Sequence, residues 1–451
     1  MQLYDSFVKA RAAKTPNLMP AVAALHNQYG STYRESTFHS LYLKTRDSEN
    51  IQTVFGTNGK IWGVEQYRLT GMKPFCGEGL LTTDGPTWER SRAIFKPSFH
   101  KDNISDLSAF EVSLQRLIAI IPRDGSTVDL QPLLQVLFVD TASLFIFGQS
   151  LGVLTGSKHA DLPYNGKAFS KAFMLSLKSC GMRNVLGILS VFLPKSATSD
   201  QWQIVHNFVD SLIDRGQRPS GMETREASRS LLNQLLKQME DKVGIRNQAI
   251  QGMMASQDTT AMLVSNTLFL LSRHPDVWQR LKSEVAAVTS NALTVEETRK
   301  FKLLRNVLNE SLRLYPVFCR LARVASKDTT LPTGGGISGD KPILCPAGTQ
   351  VFCNFYALHR DEKVFGPNVE EFQPDRWESI QPGPWQYIPF GGGMRSCLGQ
   401  QKALGEASCV LIRLAQAFDR IESRDGEDWA GDQKLVAQNV NGCKVALIPA
   451  V

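Results

Sequence analysis

Residues 390–399, Phe-Gly-Gly-Gly-Met-Arg-Ser-Cys-Leu-Gly, place one cysteine, Cys397, behind a glycine-rich loop. The next stretch, ALGEASCVLIRLAQAF (403–418), repeats apolar residues at three- and four-residue intervals and predicts a helix. Cys397 therefore stands at a helix mouth, where unpaired backbone N–H groups favour a thiolate. Gly391, Gly392, Gly393 and Gly399 carry no side chain, so a large flat cofactor could approach the loop closely. An anionic sulfur facing such a cofactor is what an axial haem ligand requires.

Four constellations lie upstream or between. Glu310-x-x-Arg313, within NVLNESLRLYP (306–316), puts two opposite charges on one helix face. Trp88-x-x-x-Arg92, in DGPTWERSR (84–92), aligns an indole and a guanidinium that can both donate to a carboxylate. FQPDRW (372–377) supplies Arg376. Ala255-Ser256-Gln257-Asp258-Thr259-Thr260 falls inside a long helical pattern, where the Thr259 hydroxyl can bond back to the Ala255 carbonyl and open the helix locally. The tripeptide Asp-Thr-Thr recurs at 328–330, where a turn is predicted and that geometry is not.

The chain has 451 residues, 42% hydrophobic and 21% charged, an ordinary globular balance. No linker or repeat divides it, so one domain over 1–451 is predicted, with RGQRPSGMETREASR (215–229) as an exposed loop. A net charge of +7, with no basic run interleaved with aromatics, argues against nucleic acid. Eight cysteines without a CxxC pair argue against a disulfide framework or a zinc site. The first residues, MQLYDSFVKARAAKTP, read as neither signal peptide nor transmembrane helix, and no apolar run approaches 20 residues. NVLGILSVFLP (184–194) is long enough to dip into a membrane interface or to form a core helix.

Short β-type runs such as LYLKT (41–45) precede a mostly helical region that includes SLQRLIAIIP (113–122) and LLQVLFVDTASLFIFG (133–148). A single helix is expected from about Ile245 to Leu271, crossing the centre and stopped by His274-Pro275. Turns and short strands follow Pro316, ending in a hairpin, LVAQNVNGCKVALI, that turns at Asn441-Gly442. This is a mainly α, irregular α+β layout.

FxxGxRxCxG, here Phe390, Gly393, Arg395, Cys397 and Gly399, resembles the haem-ligand signature of the cytochrome P450 family. A chance match at five fixed positions has odds of about one in ten thousand in a chain this long. The resemblance covers roughly 28–449. It implies the family's fold, with haem b between the long central helix and the cysteine loop. Cys397 would be the iron ligand, and Trp88, Arg92, Arg323 and Arg395 would hold the haem propionates. Glu310, Arg313 and Arg376 would form a structural cluster below the haem. Thr259 and Asp258 would serve oxygen activation. The runs KDTTLPTGGG, YALHRDEKVFGPNVEEFQPDRW and CLGQQKALGEASCVLIRLAQ are similar to the fungal branch that hydroxylates n-alkanes and fatty acids. Members of that branch are held at the endoplasmic reticulum by an N-terminal helix, and this chain begins beyond it.

The resemblance further implies electrons from NADPH through a cytochrome P450 reductase, with cytochrome b5 as a second donor, on a proximal face made basic by Lys96 and Lys402. Dioxygen and a hydrophobic small molecule would be the substrates, and contact with the membrane would be peripheral. The expected pocket wall is Phe75, Leu80, Met253, Met254, Ala255, Met262, Val317, Phe318, Arg320 and Val440, with Arg320 facing a substrate carboxylate or other acceptor, or else a haem propionate or solvent. Two departures stand out: Ser256 where the family has glycine, and Met394 in the ligand loop. A redox-neutral isomerase or dehydratase, or an inactive haem-binding protein, would share most of these motifs.

Overall fold

Apolar side chains gather into two large clusters, and the Cys397 loop touches both, through Phe390 on one and Leu398 on the other. The computed structural model describes residues 18–37, 40–156, 165–186, 196–216, 225–290, 292–433 and 436–449. The expectations for the first sixteen residues, for most of 184–194 and for the middle of 215–229 lie outside the described residues. Both ends of the last stretch are helical where described.

The frame consists of α1 (Leu18–Tyr29), α2 (Glu65–Cys76), α3 (Gly85–Phe95), α4 (Ser108–Ile120), α5 (Leu130–Phe147), α6 (Gly166–Leu186), α7 (Lys242–Ser256), α8 (Thr259–Leu271), α9 (Lys302–Leu314) and α10 (Gln400–Ala417). Their ends follow local chemistry. The Asp241 carboxylate accepts from the Val243 and Gly244 amides and starts α7, and Asp129 does the same for α5 through Gln131. Gly148, at φ 77°, closes α5 in the left-handed conformation. At 18 residues α5 is apolar and long enough to cross a membrane, yet two-thirds of it is buried inside the protein.

Helices dominate and the sheets are small, as expected of a mainly α, irregular α+β chain. Strands β1 (Thr32–Thr37), β2 (Ser40–Thr45), β3 (Trp62–Gly63), β5 (Arg320–Ala325) and β8 (Gln350–Asn354) form a sheet in the order β1-β2-β8-β5-β3. β4 (Val128–Asp129), β12 (Lys444–Pro449) and β9 (Phe418–Ser423) form a second sheet. β6 (Thr329–Gly335) pairs with β7 (Lys341–Cys345), and β10 (Gly431–Gln433) with β11 (Ala437–Asn439).

Three local expectations change. The central segment is two helices, α7 and α8, interrupted at Gln257-Asp258. The predicted final hairpin does not form, because β12 has both edges filled: Val445 faces Ser423 of β9 and Val128 of β4. β11 turns back onto β10 instead, and Gly442, at φ 76°, merely links β11 to β12. Thr329 and Thr330 lie on β6, not in a turn, because they pair with Cys345 and Leu344.

Candidate active site

The cysteine loop is shaped by its glycines, three of which also lie close to neighbouring protein atoms. Gly391 and Gly393 take φ of 69° and 65°, so the chain can fold back until the Cys397 amide donates to the Phe390 carbonyl at 3.0 Å. A Cβ on Gly393 would strike the Phe55 carbonyl, and one on Gly392 the Trp385 ring. A Cβ on Gly399 would meet the Phe99 ring at 3.3 Å. Of these four, only Gly391 faces open space.

Cys397 is the one exposed cysteine of the eight. Protein still surrounds its sulfur on most sides, and that burial pushes the thiol above its ordinary pKa. The Gly399 and Gln400 amides and the Arg92 charge pull the other way without cancelling the shift. The helix-mouth amides thus favour the thiolate, as expected, but less than burial disfavours it; a bound metal ion would add the stronger pull.

Cations collect beside the loop. Arg395 and Arg92 lie over the buried Trp88 indole at 4.3 and 5.7 Å from its centroid. Arg395 is already paired: it donates to the Asp84 carboxylate at 2.6 Å and to the Thr83 carbonyl at 2.9 Å. Arg92 donates to the Ser396 carbonyl at 3.1 Å. Arg323 differs. It is 5% exposed, rests on the Phe55 ring at 4.3 Å and donates to the adjacent Ala322 carbonyl at 2.9 Å. No carboxylate pairs with it among the described residues. Burial, with Arg68 and Arg395 nearby, lowers its pKa to about 9. Arg68, Asp84 and Phe55 were missed in the sequence; of these, only Asp84 sat within a quoted motif.

Beneath this lies Glu310, fully buried on α9. Its carboxylate accepts from Arg313 at 2.8 and 2.9 Å, Arg376 at 3.2 Å, the Trp377 indole at 2.9 Å and the Gln373 amide at 3.0 Å. Arg313 also donates to the Val369 and Glu371 carbonyls, and Arg376 to those of Phe365 and Asn368. Five donors on one carboxylate thus fasten 365–377 to α9. Trp377 belongs to the cluster and was not foreseen.

At the α7/α8 break the Thr259 hydroxyl donates to the Ala255 carbonyl at 3.0 Å. Ala255 is exposed although the four residues before it are buried. Burial raises the Asp258 carboxyl to about 6, against a smaller opposing hydrogen bond from Gln257.

The family model for cytochrome P450 matches residues 9–443. The chain belongs to the cytochrome P450 family. It is 36% identical over 436 residues to the cytochrome P450 monooxygenase himC of Aspergillus japonicus, covering 94% of this chain and 77% of that one. It is 34% identical over 456 residues to the cytochrome P450 monooxygenase fsdH of Fusarium heterosporum, covering 97% and 79%. Cytochrome P450 52A10 of Candida maltosa is 36% identical over 433 residues, covering 92% and 81%. The protein is a haem-dependent monooxygenase with haem b as cofactor, and this P450 acts with dioxygen, a hydrophobic substrate and a redox partner.

The residues present fit a haem. A buried guanidinium among other cations calls for an anion, and a haem brings two propionate carboxylates. Arg323, Arg92 and Trp88 would hold them, while Arg395 is shared with Asp84. Cys397 offers the sulfur.

The expected pocket wall is redistributed in this P450. Phe75 is packed edge-on against Phe173 and stacked on His206, with ring centroids 5.6 and 6.1 Å apart. Met253 and Met254 share its core cluster, and Met262 belongs to the other. Val317 is buried as well; Leu80, Ala255 and Phe318 keep open surface. Val440 lies away from the tip of its hairpin, since Gln433 faces Ala437 next to the turn and Val440 follows Asn439 at the far end. The residue of that hairpin that reaches α9's exit is Ala437, whose amide donates to the Val317 carbonyl at 2.8 Å. Arg320 sits three positions before Arg323 on β5, so strand alternation turns it to the other face. There it lies over Phe352 at 5.5 Å, in a shallow pocket with Met19, His26, Lys44 and Asn354. Lys402 is paired with Glu406 and lies over the Phe145 ring at 4.9 Å, so it is not a free surface cation; Lys96 is exposed.

Proposed function

We propose that this P450 hydroxylates an unactivated C–H bond of a hydrophobic molecule, either a fatty acid or alkane or an intermediate of natural-product tailoring. Cys397 would supply the thiolate that binds the haem iron in this reading, and Arg323, Arg92, Trp88 and Arg395 would hold the haem through its propionates. The bound haem supplies dioxygen activation and oxygen insertion. The chain's own residues position the substrate and control protons. Thr259 holds the Ala255 carbonyl away from the helix ladder, leaving a polar notch, and Asp258 carries a proton toward the Thr259 hydroxyl.

The observation that carries this reading is the Thr259–Ala255 hydrogen bond beside a carboxyl that titrates at about 6. An enzyme that isomerises or dehydrates a peroxide has no use for such proton delivery. Electrons come from NADPH through a cytochrome P450 reductase, with cytochrome b5 as an accessory donor. The site of action is the cytosolic face of the endoplasmic reticulum membrane, a reading supported by the sequence resemblance alone.

The test begins with the carbon-monoxide difference spectrum of the reduced protein, followed by turnover with reductase and NADPH over a panel of fatty acids, alkanes and polycyclic metabolites. A strongly red-shifted Soret band and an NADPH-dependent hydroxylated product are expected. A band at the position typical of histidine ligation would remove Cys397 from its role. Product formed from a peroxide substrate without NADPH would replace hydroxylation by the redox-neutral reaction.

A further inference from the structure

Residues 77–84 link α2 to α3, and two buried side-chain amides of α7 bind the backbone of this stretch and of Cys76 before it. Gln251 is fully buried, and its Oε1 accepts from the Leu81 amide at 2.7 Å. Its Nε2 donates to the Cys76 carbonyl at 2.9 Å and to the Thr82 hydroxyl at 3.2 Å. Gln248, 5% exposed, accepts from the Leu80 amide at 3.2 Å and donates to the Ser91 hydroxyl of α3 at 2.6 Å. Room for both amides comes from Gly79, where a Cβ would stand 2.8 Å from each.

The other side of the loop is tied to the cysteine side of the site. The Leu81 carbonyl accepts from Arg68 at 3.0 Å, and the Thr83 carbonyl accepts from Arg395 at 2.9 Å, two residues before Cys397. Gln248, Gln251 and Ala255 follow one another at three- and four-residue spacing, so the clamp and the notch share one face of α7. The loop spans the gap between that face and the ligand loop. It carries Leu80 and Leu81, both half-buried and packed against the cluster that holds Met253 and Met254.

We propose that Gln248 and Gln251 are positioning residues that fix the Leu80–Leu81 wall of the substrate cleft, and thereby the size of molecule admitted beside Ala255. This rests on the hydroxylase reading for the meaning of the cleft but not for the clamp. A loop held by its own turns could shift its side chains. One whose Leu80 and Leu81 amides are bonded into a helix cannot move without leaving buried polar groups unpaired.

The experiment uses the haem-loaded full chain with Gln251→Met and, separately, the milder Gln248→Met. Amide hydrogen exchange is read at Leu80 and Leu81, and optical titration compares imidazole with 1-phenylimidazole. Exchange at Leu81 in Gln251→Met is expected to rise about tenfold or more, the scale of one buried hydrogen bond, with α10 amides unchanged. The affinity ratio is expected to move several-fold toward the larger ligand in both variants. Unchanged exchange at Leu80 and Leu81 in both variants overturns the proposal. So does faster exchange with an unchanged size ratio, which would reduce the glutamines to stabilisers of the fold. Neither readout needs turnover, so failure of the hydroxylase reading leaves this result standing on its own.

Discussion

Arg323 is a guanidinium held in the interior by Phe55 and its own neighbour's carbonyl, with its charge opposed by Arg68 and Arg395. Removing one such cation from the apoprotein relieves charge repulsion; removing it from the haem complex would break the proposed charge-assisted bond to a propionate. Arg323→Met is therefore expected to leave the apoprotein as stable or more so, while haem transfer to an acceptor such as apomyoglobin speeds up by about tenfold. A matched loss of stability in both forms would make Arg323 a fold residue. Thr259→Ala removes the hydroxyl that holds the Ala255 carbonyl. Product per NADPH should fall by about tenfold or more while hydrogen peroxide rises, in the range expected of a proton-transfer group. Asp258 makes a pH prediction. Its folded pKa, about 6, lies above the ordinary 3.8, so the folded state holds the proton more tightly. Its contribution to stability is present below about pH 4 and is lost as pH rises through 6. Asp258→Asn should accordingly stabilise the protein at pH 7, by about 3 kcal/mol at most, with most of that difference gone by pH 4 in paired urea titrations. The same variant should flatten any step near pH 6 in coupling efficiency.

Among the elements, α9 shows what a motif can reveal unaided. Glu310 and Arg313 sit one turn apart, so their pairing at 2.8 Å was legible from spacing. The remaining partners come from 365–377 and could not be read from helix geometry. Glu310→Gln would leave two buried guanidiniums short of a carboxylate and should cost about 3–5 kcal/mol in chemical denaturation. Glu370→Gln, which breaks the Arg360 pair at a carboxylate 69% exposed, should cost less than about 1 kcal/mol. Equal losses would mean that burial does not distinguish them. The central segment was legible as helical and as the home of the threonine notch. Its division into α7 and α8 was not, because periodicity survives a break of two residues. β11 and β12 misled for a related reason: Asn441-Gly442 suits a hairpin, but β12 pairs with the edges of β9 and β4 instead.

At the scale of the whole molecule, surface and pocket depended on which faces meet. Lys402 and Glu406 lie four residues apart on α10, and their pairing takes Lys402 out of any docking surface. Lys96 remains exposed at the end of α3. Lys96→Glu should slow electron transfer from the reductase several-fold at low ionic strength, with the difference shrinking as salt is added. Lys402→Gln should change neither the rate nor its salt dependence. An equal effect of both, followed by stopped-flow reduction under carbon monoxide, would restore Lys402 to the docking face.

What the amino-acid sequence determined by itself was whatever closes within a turn or two of backbone. The glycine loop before Cys397, the Glu310–Arg313 pair, the Trp88 and Arg92 alignment and the Thr259 back-bond to Ala255 all follow from local geometry. Tertiary structure alone decided the rest. Arg395 finds Asp84 across 311 residues, Ala437 reaches the Val317 carbonyl from a distant hairpin, and Gln251 reaches Leu81 across 170. Local bonds are set by dihedral angles that every chain shares, so their partners can be counted off in sequence. Distant bonds depend on which apolar faces pack first, and many partners in one chain satisfy the same chemistry until packing selects among them.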